Sequence, residues 1–194
     1  MEKVKLRAYV MISDTGFAPN PYHGVLTLAC CRPDIRRNAS EKDWIMGVGR
    51  KAFECDKPKL IYLAKIKNKL RRATYWYDYP EKRFEAKVGN HCLADNIYEP
   101  DGQGGFKDPP IGARHSATEK EHDLGCTLES EWVLVCSRFF YFGRNAPFLP
   151  NGYKSGTRHF NISDREEISN IIKWARKEYR KLFGERGIAG HPHG

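Results

Sequence analysis

The first segment whose residues are suited to chemistry is SDTGFAPNPYHG, residues 13–24, which follows the apolar run YVMI. Its triplet Asp14-Thr15-Gly16 is the sequence that surrounds the catalytic carboxylate of aspartic proteases. That reaction needs two carboxylates that share one proton, and therefore a second such loop or a dimer. Because so short a match is weak support, the segment favours a role other than proteolysis for Asp14.

The two prolines of APNP, residues 18–21, make the same loop stiff. Proline fixes its own φ angle and restricts the preceding residue to extended conformations, so the loop loses little entropy on binding. It can present the amide of Asn20 and the ring of Phe17 or Tyr22 to a planar heterocycle. The alternative is a rigid structural turn in which Phe17 plugs the core and Asp14 caps backbone amides.

Possible metal ligands occur in the second half of the chain, but their spacing fits no standard zinc module. They are His91, Cys92, His115, His122 and Cys126. The sequence also contains no G-x-x-x-x-G-K-[ST] phosphate loop and no G-x-S-x-G nucleophile segment. We therefore predict no metal site and no cofactor.

The cysteines indicate a reducing environment. Six are present, none in a C-x-x-C pair, and no secretory signal precedes them. We predict free thiols in a cytoplasmic protein. The adjacent pair Cys30-Cys31 lies in an apolar run and is predicted to pack in the core.

The charge balance points to an anionic partner. The 194 residues include 33 basic and 24 acidic ones, which gives a net charge of +9. Basic groups displace counterions from phosphates, so nucleic acid or a nucleotide is the predicted partner. No apolar stretch approaches the roughly 18 residues of a membrane span, so we predict no membrane partner.

The elements that must position these residues are mostly strands. We predict strands at residues 5–12, 24–31, 43–50, 59–70 and 131–143, and a long loop at 90–126. A short helix is predicted to end before Pro80. In the fourth strand a period of two places Lys65, Lys67 and Lys69 on one face, which predicts a contact with phosphates.

The last element is the clearest helix. Ser163 and Glu166 form a capping box, Gly184 is a natural stop, and residues 185–194 are predicted to be disordered. Apolar residues recur at helical spacing between these ends. They are Ile168, Ile171, Ile172, Ala175, Tyr179 and Leu182. Strands followed by a long helix predict an α+β fold, built as a small barrel or a strongly bent sheet.

Four blocks of this sequence resemble the family called nucleotide modification associated domain 2. They are DTGFAPNPYHGVLTLACCRPDIRRNA, DWIMGVG, LADNIY and FFYFGRNAPFLP. The resemblance implies the processing or sensing of modified bases. One residue departs from the family pattern, since Lys42 replaces the glycine that usually precedes Asp-Trp.

The start of the third strand at Asp43-Trp44 and the strand KLIYLAKI also look like PUA-like domains. This similarity implies a single domain over residues 1–184, an open PUA-like β-barrel or strongly bent sheet with the C-terminal helix packed against it. It also implies a nucleobase pocket beside the barrel. The predicted ligand-binding residues are Phe17, Asn20, Tyr22, Asp43, Trp44, Asp95, Asn96 and Tyr98.

Three functions are compatible with these residues. The first is a module that binds or senses a nucleic acid or nucleotide with a modified base. The second is a hydrolase or transferase that acts on such a ligand, with Asp14, Asp95 and His115 as the candidate catalytic residues. The third is an interaction module whose basic face binds an acidic protein.

Overall fold

A computed structural model describes residues 3–84, 94–124, 132–153 and 159–184. The predictions for His91, Cys92, Cys126 and the tail at 185–194 lie outside these ranges. The chain divides into two compact units that are interleaved in sequence. The first consists of Met1–Thr15, Lys42–Ile66 and Ser137–Gly194, and the second of Gly16–Glu41 and Lys67–Cys136. The single domain over 1–184 stays a prediction.

Six strands and four α-helices are formed by the described residues. The strands are β1 (Leu6–Met11), β2 (Leu26–Leu28), β3 (Trp44–Gly49), β4 (Lys59–Arg71), β5 (Trp132–Tyr141) and β6 (His159–Ile162). The helices are α1 (Pro33–Asn38), α2 (Arg72–Asp78), α3 (Lys120–Leu124) and α4 (Arg165–Phe183). The predicted strands are all present, although β2 is shorter than predicted.

The strands form one open sheet in the order β2-β5-β4-β3-β1-β6. β1 and β3 are parallel, whereas the pairs β1–β6, β2–β5 and β3–β4 are antiparallel. The predicted α+β class is confirmed. The PUA-like architecture stays a prediction. Among the described residues, no helix combines the length and the apolar character needed to cross a bilayer.

Gly47 in β3 shows why this strand contains glycine. A Cβ atom at this position would lie 2.3 Å from the Tyr62 ring and 2.4 Å from the sulfur of Met11. The register between β3 and β4 also shifts between Gly47 and Val48. Glycine in a strand often marks a close approach or a bulge, and β3 contains both.

α4 packs through the predicted face, with two corrections. Ile168, Ile171 and Ala175 are buried, whereas Leu182 is 48% exposed, because it lies near the end of the helix. The capping residue is Asp164 rather than Ser163: its carboxylate accepts the backbone N–H of Glu167 at 2.7 Å. The two residues are neighbours of the same capping type, so sequence alone could not choose between them.

The second unit has its own apolar core, which includes Cys30. Its buried members are Phe17, Ala29, Cys30, Tyr75, Ile97, Tyr98, Val133 and Val135. The segment predicted as a long loop supplies two of these residues, Ile97 and Tyr98. The short helix α3 also lies in this segment. Residues 94–98 of this segment are therefore part of the core, whereas residues 101–122 lie mostly at the surface.

Candidate thiol–imidazole–carboxylate site

Cys31 lies in the turn between β2 and α1, within the second unit. Its φ angle is +57°, and that of the next residue, Arg32, is +46°. Pro33 then begins α1, as proline often does at a first helical position. Left-handed conformations cost non-glycine residues about 1–3 kcal/mol and occur preferentially at functional sites. Two of them in succession at a half-buried cysteine therefore mark this turn as a candidate site.

His115 connects Cys31 to a buried carboxylate. The Nε2 atom of His115 lies 3.8 Å from the sulfur of Cys31. On the other side of the ring, Nδ1 donates to Oδ2 of Asp123 at 2.6 Å. The ring of Phe17 packs against the imidazole with centroids 4.8 Å apart. The three polar side chains thus form a line of thiol, imidazole and carboxylate.

Asp123 is fully buried, and both of its oxygens accept hydrogen bonds. Oδ1 accepts the backbone N–H of Cys31 at 2.7 Å. Oδ2 accepts the hydroxyl of Tyr98 at 2.8 Å in addition to the bond from His115. These contacts fix the carboxylate relative to both the thiol-bearing turn and the imidazole.

Arg36 links the turn that bears Cys31 to the helix that bears Asp123. Its Nε donates to the backbone oxygen of Cys31 at 2.8 Å, and its Nη2 donates to that of Asp123 at 2.5 Å. Burial is the main reason why the pKa of Arg36 is lowered to about 10, so the guanidinium stays charged at neutral pH. Its hydrogen bonds from Nε and Nη2 join the backbone of Cys31 to that of Asp123.

The titration of the pair His115–Asp123 favours an ion pair. Burial is the largest single influence on His115 and opposes its charge, but the hydrogen bonds to Asp123 and Cys31 and the charge of Asp123 together outweigh it and raise the pKa to about 10. Burial likewise opposes charge on Asp123, yet the bonds from His115 and from the backbone of Cys31 lower its pKa to about 2. At neutral pH the site therefore contains an imidazolium held by a carboxylate.

The two adjacent cysteines differ in their surroundings. Cys30 is fully buried and its pKa is raised well above the ordinary value, chiefly by burial. The prediction that the pair packs in the core is right for Cys30 and wrong for Cys31, which is only partly buried. The reason is the left-handed turn, which directs the chain out of the apolar run.

The donor atoms of Cys30, His115 and Asp123 lie within 4.8 Å of one another, so the question of a metal ion arises again. A metal would need the oxygens of Asp123 that now accept bonds from Tyr98, His115 and the backbone. The geometry therefore suits a hydrogen-bonded relay better than a coordination site.

The predicted base-reading amide of Asn20 is occupied within the second unit. Asn20 is buried, and its Nδ2 donates to the backbone oxygen of Gly16 at 3.1 Å. Its Oδ1 accepts from the buried ammonium of Lys82 at 2.7 Å. Lys82 also donates to the backbone oxygen of Asn20, to that of Val25 and to the hydroxyl of Thr27. This arrangement favours the structural interpretation of the proline loop, and base reading by Asn20 stays a prediction.

Other predicted ligand-binding residues of the second unit also take part in buried networks. Asp95 accepts the hydroxyls of Thr27 and Tyr75, each at 2.6 Å, and burial raises its pKa. Asn96 donates to the backbone oxygens of Tyr75 and Tyr79, both at 3.1 Å, and so caps the end of α2. Tyr22 is half-buried. The ring of Phe17 is buried against His115, so its predicted stacking on a base would require it to move.

The remaining predicted site residues belong to the first unit. Asp14 is buried and accepts the hydroxyl of Tyr141 at 2.5 Å. Asp43 accepts the backbone N–H of Lys5 at 2.8 Å and Nε of Arg7 at 3.0 Å, which secures the start of β3 beside β1. Trp44 is buried at the first position of β3. Each of these contacts stabilises the fold.

The three lysines of β4 differ from one another. Lys67 is exposed and Lys65 is partly buried. The ammonium of Lys69 donates to the backbone oxygens of Arg37 at 2.6 Å and Ala39 at 3.1 Å. Phosphate binding by all three stays a prediction, but Lys69 already has a structural role.

The sequence predicts His115 as a candidate, but not the two side chains that it contacts. Cys31 and Asp123 lie 84 and 8 residues away from it in the chain, and neither belongs to a motif of fixed spacing. A usable signal did exist for Cys31, since a cysteine between a strand and a proline-started helix occupies a strand–turn–helix position of the kind that presents nucleophiles.

Comparison with known proteins gives one match. The model of the family described as nucleotide modification associated domain 2 matches residues 3–191. No curated protein and no solved structure matches the sequence.

Proposed function

This chain belongs to the nucleotide modification associated domain 2 family, and on that premise we propose that it is a cysteine-dependent hydrolase or acyl transferase acting on a modified nucleoside or nucleotide. One observation carries the proposal. The sulfur of Cys31, the imidazole of His115 and the carboxylate of Asp123 lie in hydrogen-bonding order. A nucleophile, a base and a group that orients the base are the three parts of nucleophilic acyl transfer.

The protonation state of the pair supports this reaction. Because the pKa of His115 is raised to about 10, the imidazole carries two protons at neutral pH. One is held by Asp123 at Nδ1, and the other is on Nε2, beside the sulfur of Cys31. An imidazolium beside a cysteine sulfur is the arrangement in which cysteine enzymes use a thiolate as the nucleophile.

The proposed reaction has two steps. In the first, the thiolate of Cys31 attacks the carbonyl carbon of an amide or ester on the substrate. The C–N or C–O bond breaks, the leaving group takes the Nε2 proton of His115, and a thioester forms on Cys31. In the second, neutral His115 takes a proton from water or from an acceptor amine. That nucleophile attacks the thioester, and the acyl group leaves with the thiolate and the imidazolium restored.

Asp123 and Arg36 are the positioning residues of this mechanism. Asp123 selects the orientation in which Nδ1 faces the carboxylate, so that Nε2 faces Cys31. Arg36 holds the backbone of Cys31 and Asp123 together. The four cysteines among the described residues are free thiols, which supports a reducing compartment such as the cytoplasm.

A module that only binds a modified base is the other function predicted from the sequence. Its proposed reader, Asn20, is buried with both amide atoms bonded within the protein. His115, a catalytic candidate of the predicted enzyme, lies beside the half-buried thiol of Cys31. These contacts favour the enzyme over the binding module.

The activity is tested with nucleosides and short oligonucleotides that carry an amide or an ester on the base. We expect the parent protein to release the acyl group from at least one of them. Cys31→Ser and His115→Asn should each lose at least about 100-fold in rate. His122→Asn and Cys55→Ser are the matched controls, because His122 is exposed and Cys55 lies in the first unit.

The covalent step has a separate signature in the intact mass of the protein. With a reactive substrate, the parent should gain the mass of the acyl group, and hydroxylamine should remove it by cleaving the thioester. Cys31→Ser should gain no hydroxylamine-sensitive mass. Turnover by Cys31→Ser at the rate of the parent would contradict the proposal.

A further inference from the structure

The C-terminal half of α4 carries a strongly basic surface in the first unit. We call it the α4 cationic face, and it consists of Lys173, Arg176, Lys177, Arg180 and Lys181, which together line a shallow surface depression. All five residues are exposed. At 3.6 residues per turn they fall within an arc of about 140°, so they form one continuous side of the helix.

The opposite side of α4 is the one that packs on the protein. Ile168, Ile171 and Ala175 are buried, and the Tyr179 ring contacts Phe140 and Phe142 with centroids 5.5 and 5.4 Å apart. The apolar side is therefore covered. What α4 offers to a partner is charge, not an apolar surface that could enter a bilayer.

The distribution of charge along α4 is not that of an ordinary solvated helix. The acidic residues Glu166 and Glu167 lie in the first turn, where the helix dipole favours them. From Lys173 to the end of α4 the one acidic residue is Glu178, which pairs with Lys181 at 2.8 Å. Lysines and arginines three and four residues apart repel each other on a helix, so this arrangement costs stability.

The helix dipole explains only part of this basic cluster. It favours basic residues in the last turn, where Arg180 and Lys181 lie. Lys173, Arg176 and Lys177 lie further back, and among the described residues their side chains form no ion pair or hydrogen bond. No contact in the described part of the chain offsets the repulsion between these charges. Such an arrangement is expected at a surface that binds an anionic partner.

We propose that the α4 cationic face binds the phosphate backbone of a nucleic acid, so that the substrate is a polynucleotide rather than a free nucleotide. This rests on the proposed function only in taking a nucleotide as the substrate. From Lys173 to Lys181 the helix rises about 12 Å, which equals the axial rise of three to four phosphates of one strand in a duplex, at about 3.4 Å each. Contacts with phosphates alone fix position without reading sequence.

The test is the binding of a fluorescently labelled 20-nucleotide DNA, single- and double-stranded, and of the matching RNA, measured by anisotropy at several salt concentrations. The variant is Lys173→Gln/Arg176→Gln/Lys177→Gln, since glutamine keeps helix propensity. The control is Lys51→Gln/Lys57→Gln/Arg138→Gln, which removes the same charge at exposed positions outside α4. Circular dichroism verifies that both variants are folded.

We expect the parent to bind at low salt and the face variant to bind at least about tenfold more weakly. For double-stranded DNA its log–log salt slope should be smaller by up to about 2.7, at 0.9 for each lost phosphate contact. The control triple variant should stay within about twofold of the parent. No binding by the parent, or equal losses in both triple variants, would overturn the proposal.

Two further measurements separate this proposal from the proposed function. Cys31→Ser should bind the labelled DNA or RNA like the parent, and the face variant should keep the parent's activity on acylated nucleosides. Vesicles with 30% phosphatidylserine test the alternative partner. Loss of vesicle binding in the face variant with unchanged nucleic-acid binding would refute the polynucleotide as the partner.

Discussion

Replacing Asp123 with asparagine tests the arrangement of the site most completely. The carboxylate accepts from His115 at 2.6 Å, from Tyr98 at 2.8 Å and from the backbone of Cys31 at 2.7 Å. An amide has one oxygen, so it can keep the bond from Cys31, but its NH2 group then faces the Nδ1–H of His115. The variant loses a charge-assisted bond and leaves a buried donor without an acceptor. Together these effects should cost about 3–5 kcal/mol in the free energy of unfolding.

The same substitution should also change the titration of His115. With the carboxylate gone, burial is the main remaining influence, and it lowers the pKa of this group. We therefore expect the pKa to fall from about 10 to 6.5 or below. Urea unfolding at pH 7 measures the first effect, and NMR titration of the imidazole Hε1 signal measures the second.

The control for this experiment is Asp108→Asn. Asp108 pairs with Lys120 at 2.9 Å, but its side chain is 66% exposed, so the substitution should cost less than about 1 kcal/mol. The reasoning is refuted if Asp123→Asn unfolds within about 1 kcal/mol of the parent, or if its His115 still titrates near pH 10.

Three further predictions concern the rest of the fold. Lys82→Met leaves buried oxygens without a donor, so it should lower the free energy of unfolding in urea by about 2–4 kcal/mol. The control Lys67→Met, at an exposed position, should change it by less than about 0.5 kcal/mol. Ile171→Asp buries an unpaired charge and should cost several kcal/mol, while thermal unfolding of Leu182→Asp should match the parent. Because the folded pKa of His115 is raised to about 10, its proton stabilises the fold fully below pH 6.5. The parent should therefore lose stability relative to His115→Asn as the pH rises from 6.5 to 8, and equal slopes would contradict the ion pair.

Local patterns were enough to predict most of the elements. The alternation in residues 59–70 became β4, the apolar run before Gly143 became β5, and the helical spacing after Ser163 became α4. These elements depend on which side chains face the core, and the spacing of apolar residues in the local sequence predicts those side chains. The errors are local too, such as the cap at Asp164 and the exposed Leu182.

The site could not be predicted in the same way, because it depends on contacts between distant residues. Cys31 contacts Asp123 across 92 positions of the chain, and no local pattern encodes that distance. The run LACC, residues 28–31, is uniformly apolar in sequence. Its last residue, Cys31, nevertheless leaves the core because its backbone is in the left-handed conformation. Asn20 illustrates a second limit of local sequence: the loop predicts a ligand contact for this residue, which stays a prediction, but does not reveal that its amide oxygen accepts from the buried Lys82, 62 positions away.

The most direct test of the central claim is the alkylation rate of Cys31 by iodoacetamide, followed residue by residue with peptide mass spectrometry. If His115 activates the thiol, Cys31 in the parent should react at pH 7 at least about tenfold faster than in His115→Asn. The buried Cys30, Cys55 and Cys136 should remain unmodified while the protein is folded. A rate at Cys31 that is the same in the parent and in His115→Asn would contradict the account.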